Sequence, residues 1–112
     1  MEKILYYGMT GEKMCFQHVL MNALDMSSNG HETKIIFEGA SVKLVAIFEE
    51  EQNKLYLSAK EKGLIAGVCL ACSNVLGVYE SIKDCGLEFI NDMNGHAGMK
   101  KFIEAGYKVV SM

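Results

Sequence analysis

Short apolar runs alternate with amphipathic stretches along the chain. The first run, "KILYYG" (Lys3 to Gly8), is rich in Ile and Tyr and stops at a glycine, which predicts a β-strand. After it, apolar residues recur at helical spacing and share one helix face: Phe16, Val19, Leu20, Ala23 and Leu24. The pair Asn29-Gly30 is expected to end this first helix, since glycine tolerates the conformation that follows a helix.

The middle of the chain repeats this alternation. "TKIIFEG" (Thr33 to Gly39) predicts a second strand. A second helix, which continues or restarts as far as Gly63, is marked by Leu44, Val45 and Phe48. The apolar run "LIAGVC" (Leu64 to Cys69) lacks polar alternation, which is typical of a strand covered on both faces.

The last third of the chain predicts two more strands and two more helices. One helix, with Gly86 as its cap, is marked by Val75, Leu76, Tyr79 and Ile82. A weaker strand at Leu87 to Asn91, a helix at Gly98 to Gly106 and a closing strand at Tyr107 to Met112 follow. Five strands that alternate with helices predict an α/β fold with a mostly parallel five-stranded sheet and helices on both faces.

Length and composition indicate one small domain. The 112 residues include no linker, repeat or shift in composition, so residues 1–112 are expected to form a single domain. No apolar stretch approaches the roughly 20 residues that cross a bilayer, and "MEKILYYG" lacks the features of a signal peptide. We therefore expect a soluble cytoplasmic protein with no membrane partner, whose four cysteines are free thiols in a reducing compartment.

The charge pattern argues against a nucleic-acid partner. The net charge is −3, and every basic residue is lysine. Nucleic-acid sites favour the guanidinium of arginine and a basic stripe interleaved with aromatic residues, neither of which is present. The acidic run Glu49 to Glu51 is interpreted as a solvated helix end.

Candidate chemistry gathers at one edge of the predicted sheet. In parallel α/β sheets, ligands bind outside the carboxyl ends of the strands. That edge would bring together the turn Gly8 to Gly11, Glu38-Gly39, Cys69 to Ser73 and the loop Asn91 to His96. The predicted binding residues there are Gly8, Thr10, Glu38, Gly39, Ser73 and His96. Among them, Thr10 is expected to cap the first helix and His96 to assist proton transfer.

Two cysteines, Cys69 and Cys72, are the candidate catalytic residues. They follow the third strand and precede a helix, where unpaired N–H groups favour an anion and should lower the pKa of a thiol. Gly77, inside the predicted helix, suggests a close backbone approach. The alternative is that Cys69 is only a buried strand residue and Cys72 only a small residue at the helix entry.

A C-x-x-C pair has three standard uses: zinc binding, dithiol redox chemistry and sulfur relay. Zinc needs two further ligands, and Cys15, Cys85 and His96 lie in separate elements without the usual spacing, so no metal is predicted. A thioredoxin-type pair is accompanied by a proline loop, and the chain contains no proline. Cys15, as a small core residue, and Cys85, at a helix end, are expected to be inert.

Three segments resemble the DsrE/DsrF-like proteins of sulfur trafficking, and the likeness covers nearly the whole chain. They are "KILYYG", "KIIFEGASVKL" and "GVCLACSNVLGV". In that family, a cysteine that ends the third strand lies eight positions before a glycine followed by an aliphatic residue, as Cys69 does before Gly77-Val78. Other branches place the cysteine five positions before that glycine, as Cys72 is here.

The resemblance implies a three-layer α/β/α domain that assembles as a homotrimer, homohexamer or related hetero-assembly. Its active cysteine would accept sulfur as a persulfide and pass it on without metal or organic cofactor, so that sulfur donor and acceptor proteins are the implied partners. Since both cysteines are present, the resemblance leaves open which one carries sulfur. We predict that Cys69 attacks the donor and that Cys72 is a resolving or second relay thiol. A non-catalytic oligomeric binding module and a dithiol redox protein are the alternatives.

Overall fold

The computed structural model describes all 112 residues, which form an α/β fold around a five-stranded sheet. The strands are β1 (Lys3–Gly8), β2 (Glu32–Phe37), β3 (Ile65–Cys69), β4 (Phe89–Ile90) and β5 (Lys108–Ser111). The helices are α1 (Lys13–Ser28), α2 (Val42–Glu51), α3 (Lys54–Glu61), α4 (Leu70–Val75), α5 (Tyr79–Ile82) and α6 (Lys100–Glu104), and a 3₁₀ turn covers Gly39–Ser41. No helix has the length and apolar character needed to cross a membrane.

The strand order is β4-β3-β2-β1-β5, and all neighbouring strands are parallel. The predicted three-layer α/β/α class with a five-stranded sheet is therefore confirmed. All carboxyl ends lie along one edge, where Gly8 of β1 pairs with Phe37 of β2 and Cys69 of β3 pairs with Ile90 of β4. The residues that follow β1 to β4 in the chain are thus collected at this edge.

An aromatic cluster fixes the helices on the sheet near that edge. The rings of Phe16 in α1 and Phe37 in β2 stack at a centroid distance of 4.4 Å, and Phe48 and Tyr56 pack beside them. All four side chains are fully buried. Each such burial is worth roughly 1.5–3 kcal/mol, which holds the end of β2 in a fixed position.

The second predicted helix is in fact two helices. Gln52 adopts a left-handed conformation with φ of 52°, which ends α2. The Asn53 side chain then accepts a hydrogen bond from the Tyr56 N–H at 3.0 Å and caps α3. The sequence left open whether the helix continues or restarts, and this cap makes it restart.

The predicted helix after β3 differs most from expectation. Gly77, with φ of 71°, separates α4 from α5, and nothing lies within 4 Å of where its side chain would be. Gly77 therefore permits a turn and does not mark a close backbone approach. Val75 and Leu76, which share the helical spacing of the predicted helix, lie at the end of α4 and are 80% and 46% exposed.

Two predictions about α1 are also wrong. The hydroxyl of Thr10 accepts a hydrogen bond from the Glu12 N–H at 3.1 Å, but α1 begins later, after Glu12, and has no side-chain cap. Cys15 is exposed and does not belong to the core. The buried stripe of α1 consists of Phe16, Val19, Leu20 and Ala23, and Cys15 lies outside it.

Candidate functional site

The two candidate cysteines lie at the junction of β3 and α4. Cys69 is the last residue of β3 and the residue that caps α4, and its sulfur accepts a hydrogen bond from the Cys72 N–H at 3.4 Å. The first turn of α4 then folds Cys72 back over Cys69. Ser73 donates from its hydroxyl to the Cys69 carbonyl oxygen at 2.7 Å and is fully buried. Its role is to hold the junction, and it does not line a binding surface as predicted.

His96 reaches both thiols from the loop between β4 and α6. Its Nδ1 lies 3.3 Å from the Cys69 sulfur and 3.4 Å from the Cys72 sulfur. Gly95, the preceding residue, accepts a backbone hydrogen bond from Ala71 in α4 at 2.8 Å, which ties this loop to the cysteine segment. A neutral imidazole with a free Nδ1 lone pair could accept a proton from either thiol.

Glu38 completes the cluster from the end of β2. Its Oε1 accepts hydrogen bonds from the Cys72 thiol at 2.8 Å and from the Gly39 N–H at 2.9 Å. Its Oε2 accepts from the Tyr7 hydroxyl at 2.9 Å, and this hydroxyl also lies 2.7 Å from the carbonyl oxygen of Ala97. Since its side chain is almost fully buried, the carboxylate depends on these donors in place of water.

Tyr7 is a site residue that the sequence did not single out. It lies in β1, inside a run of apolar strand residues, and nothing in that pattern separates it from the core aromatics. Only the register of β1 against β2 places its hydroxyl beside Glu38. Burial and the neighbouring carboxylate raise the pKa of Tyr7, so this hydroxyl remains a donor.

The environment raises the pKa of both thiols, contrary to the lowered value predicted for a helix start. Burial raises the pKa of Cys72 to about 12, and the hydrogen bond to the Glu38 carboxylate acts in the same direction. Burial also raises the pKa of Cys69, although the Cys72 N–H opposes this shift. Helix α4 has only six residues, so its dipole has little effect against burial and a nearby negative charge.

The Glu38 carboxyl shifts in the opposite direction. Burial disfavours its charged form, but hydrogen bonds, foremost the one from the Cys72 thiol, outweigh burial and hold its pKa below the ordinary value. In the resting site, Glu38 is therefore an ionised carboxylate that accepts hydrogen bonds, and both cysteines are protonated thiols. Such a site protects its thiols from oxidation until a base removes a proton.

A pocket of about 260 Å³ opens onto the cluster. It is lined by Gly39, Ala40, Cys72, Val75, Leu76 and His96. Cys69 is fully buried beneath it, whereas Cys72 is partly exposed. A molecule that enters the pocket therefore meets Cys72 before Cys69, whereas the sequence-based prediction named Cys69 as the attacking thiol.

The predicted edge residues divide into two groups. The structure brings together Glu38, Gly39, Cys69, Cys72 and His96. Gly8 is buried, its carbonyl oxygen accepts from the Ser41 hydroxyl at 2.7 Å, and a side chain there would collide with the Phe16 ring. Thr10 contacts Glu12 and the last residue of the chain through hydrogen bonds, not the cluster. Gly8 and Thr10 are therefore structural.

A larger open depression of about 770 Å³ lies along α6. Its lining includes Asp92, Lys100, Lys101 and Glu104. The cluster of Glu38, Cys69, Cys72 and His96 contributes no residue to it. Its surface charges are mixed, and Lys101 forms an ion pair with Asp92 at 3.5 Å. The chemistry of the chain is concentrated at the smaller pocket.

Comparison with known proteins gives relatives without a stated activity. The chain is similar to the uncharacterized protein MJ0733 of Methanocaldococcus jannaschii, with 32% identity over 95 residues that cover 85% of this chain and 78% of that protein. It is also similar to the solved structure of a conserved protein of unknown function, BT1422 from Bacteroides thetaiotaomicron. The TM-score is 0.75 at 26% identity, with 99% of this chain and 95% of that chain covered. The sequence matches no family model.

Proposed function

This chain belongs to the family of the uncharacterized protein MJ0733. From the geometry of its site and the resemblance of its cysteine segment, we propose that it is a sulfur carrier of the DsrE type. It would hold sulfur as a cysteine persulfide and pass it to an acceptor thiol. The observation that carries the proposal is the placement of two thiols around one imidazole nitrogen, at 3.3 Å and 3.4 Å, beneath an open pocket. The likeness of the cysteine segment to the DsrE/DsrF-like proteins supports the same chemistry.

Sulfur uptake begins at Cys72, the thiol that lines the pocket. His96 Nδ1 accepts the thiol proton, and the thiolate attacks the outer sulfur of a donor persulfide, R–S–SH. A new sulfur–sulfur bond forms on Cys72, the donor S–S bond breaks, and the leaving thiolate takes the proton from His96. The donor thiol and the Cys72 persulfide are the products, with no net oxidation or reduction.

The sulfur can leave the Cys72 persulfide by two routes. An acceptor thiolate can attack the outer sulfur of the persulfide and displace the Cys72 thiolate. Alternatively, Cys69 can attack the inner sulfur, form a Cys69–Cys72 disulfide and expel hydrosulfide; a thiol reductant such as glutathione then restores both thiols. The proximity of the Cys69 and Cys72 sulfur atoms, which lie within 4.8 Å of each other, supports the second route.

We propose that the protein carries sulfur in a reducing compartment, which we take to be the cytoplasm, and that its pocket is sheltered by a neighbouring protein surface. The edge of the pocket carries the exposed apolar side chains of Val75 and Leu76. Contacts between subunits of a homotrimer or homohexamer, or with a donor or acceptor protein, would bury these side chains and shelter the persulfide from other thiols.

Dithiol redox chemistry is the second candidate, since the two sulfur atoms lie within 4.8 Å of each other and need only a modest approach to form a disulfide. Equilibration in glutathione buffers near the cytosolic potential separates the two functions. A redox protein forms the Cys69–Cys72 disulfide reversibly without any sulfur donor, whereas a carrier gains sulfur only when a persulfide is supplied.

Mass spectrometry after incubation with a persulfide donor tests the carrier function. We expect one added sulfur on the peptide that contains Cys72, a loss of that label in Cys72→Ser, and a longer-lived persulfide in Cys69→Ser because the resolving thiol is absent. Cys85→Ser is the matched control, since it removes a thiol outside the cluster. No added sulfur on Cys69 or Cys72, under conditions that label a known carrier, would reject the proposal and leave the redox protein or a non-catalytic binding module.

A further inference from the structure

The clustered side chains have a second property that sulfur transfer does not use. We propose that Glu38, Cys69, Cys72 and His96 form a binding site for one zinc ion, with one carboxylate oxygen, two thiolates and the His96 Nδ1 as ligands. These four donor atoms all lie within 4.8 Å of one another. They come from three chain segments that the sheet brings together, which is why the chain spacing of the cysteines and histidines does not reveal the site.

The distances between the donors resemble the edges of a zinc tetrahedron. With ordinary zinc bonds to sulfur, nitrogen and oxygen, neighbouring ligand atoms lie about 3.3–3.8 Å apart. In the structure the Cys69 and Cys72 sulfurs are 3.3 Å and 3.4 Å from His96 Nδ1, and the Glu38 oxygen is 3.7 Å from the same nitrogen. The hydrogen-bonded pair of Cys72 and Glu38, at 2.8 Å, has to separate by roughly 0.7 Å to reach this range. The two remaining pairs, Cys69 with Cys72 and Cys69 with Glu38, lie within 4.8 Å.

The kind of donor determines which metal ion fits. Two thiolates and one imidazole favour soft and borderline ions over magnesium and calcium, which need a shell of oxygen atoms. A set of four such donors within 4.8 Å of one another suits zinc, whose structural sites are four-coordinate and tetrahedral. On binding, the two thiol protons leave to solvent and two zinc–sulfur bonds form, with no oxidation or reduction.

Neighbouring groups already orient the donors. The Tyr7 hydroxyl and the Gly39 N–H each donate to a Glu38 oxygen, at 2.9 Å in both cases. The Cys72 N–H is directed at the Cys69 sulfur at 3.4 Å. Hydrogen bonds from neighbouring groups to a metal ligand fix its direction and stabilise its charged form. Tyr7 is thus a positioning residue for the metal site.

Zinc binding and sulfur carriage use the same thiols and exclude one another. A bound ion would protect both sulfur atoms in the resting protein, and its removal would expose them to a persulfide donor. The zinc site does not depend on the proposed sulfur chemistry, since it follows from the donor geometry alone. The persulfide experiment, carried out on chelator-treated protein, can therefore fail while metal binding succeeds, and the reverse also holds.

Titration of the reduced, chelator-treated protein with cobalt(II) tests the inference, because tetrahedral cobalt absorbs in the visible and its thiolate bonds give separate charge-transfer bands. We expect one cobalt per chain, charge-transfer intensity for two thiolates, and displacement of cobalt by one equivalent of zinc. Cys69→Ser and Cys72→Ser should each halve the charge-transfer intensity, whereas Cys85→Ser and Cys15→Ser should leave it unchanged.

Two further variants do not remove a thiol and so keep the test independent of cysteine loss. Glu38→Gln should change the visible band of cobalt and weaken zinc binding, and Tyr7→Phe should weaken it by about tenfold while the two-thiolate spectrum remains. Circular dichroism checks that each variant is folded. Fewer than one cobalt per chain at saturation, a spectrum without thiolate bands, or full binding by the Cys69→Ser/Cys72→Ser double variant would each overturn the inference.

Discussion

At the scale of single residues, the contact between Glu38 and Cys72 decides how the site behaves. The short hydrogen bond of 2.8 Å keeps the charge on the carboxylate and the proton on the sulfur. Burial raises the pKa of Cys72 to about 12 and this hydrogen bond adds to the shift, while the hydrogen bonds to Glu38 lower the pKa of its carboxyl. The thiol stays unreactive at neutral pH until His96 or a docked donor changes this balance.

We expect the alkylation of Cys72 in metal-free protein to follow this raised pKa. Below pH 10 its rate with iodoacetamide should increase by about tenfold per pH unit, because the thiolate fraction rises with each unit and does not level off below the pKa. Glu38→Gln removes the negative charge, lowers the pKa of Cys72 and should raise the rate at pH 8 by roughly threefold or more.

Peptide mass spectrometry measures the rate at each thiol. Glu104→Gln, a change of the same kind outside the cluster, is the control and should have no effect. A plateau of the Cys72 rate below pH 8 would contradict the structural interpretation and restore the lowered pKa predicted from the helix start.

The sequence predicted which side chains lie at the carboxyl edge of the sheet, but not the environment in which they lie. Cys69, Cys72, Glu38 and His96 could be selected because each follows a strand at the carboxyl edge of a parallel sheet. Their mutual distances and the raised thiol pKa values depend on side-chain packing between segments distant in sequence. The pattern of apolar and polar residues carries no information of that kind, and Tyr7 was missed for the same reason.

At the scale of elements, β4 is short, and its position depends on one glycine in β3. A methyl group on Gly67 would lie 2.6 Å from Ile90 Cδ1 and 2.7 Å from the Glu88 carbonyl oxygen. Glu88 accepts a hydrogen bond from the Val68 N–H at 2.8 Å, so the backbone cannot move aside without loss of the pairing between β3 and β4. The loop that carries His96 begins where β4 ends.

Gly67→Ala should therefore destabilise the protein by about 1–3 kcal/mol and also disturb the site. Urea denaturation measures the free energy of unfolding, and the cobalt spectrum or the Cys72 alkylation rate reports the displacement of His96. Gly77→Ala is the matched comparison: it costs about 1–2 kcal/mol through its left-handed conformation, with no neighbour to displace. Equal effects of the two variants on the site would contradict this account of β4.

Prediction of the elements was accurate where periodicity was strong. The bounds of β1, Lys3–Gly8, agree with the predicted strand, and the end of α1 before Asn29-Gly30 is also as expected. The region after β3 was predicted as one helix because Val75, Leu76, Tyr79 and Ile82 share helical spacing. The left-handed Gly77 divides it, and a periodic pattern alone does not distinguish a helix interior from two short helices joined by a turn.

At the scale of the whole molecule, apolar side chains remain on the surface around the pocket. Val75 is the most exposed of them, and Leu76 is about half exposed. Such side chains are expected to be covered by another protein surface. The proposed homotrimer or homohexamer would cover them and enclose Cys72.

Multi-angle light scattering at micromolar concentration tests this assembly. We expect a mass of three or six chains, and Val75→Asp should shift it toward the single chain because a buried charge without a partner is costly. Met14→Asp, on the exposed side of α1, is the control and should keep the wild-type mass. A single-chain mass for the unmodified protein would remove the shelter argument from the proposed function.

The pairing of β5 with β1 also governs the order of events during synthesis on the ribosome. Ile4 pairs with Lys108 and Tyr7 with Ser111, so one neighbour of β1 is made almost a whole chain later. Until then, an interior strand of the finished sheet is an unprotected edge, and its row of backbone groups is a template for association with other nascent chains. Cells under heat or translational stress should therefore lose this protein to aggregation chiefly before its last strand emerges.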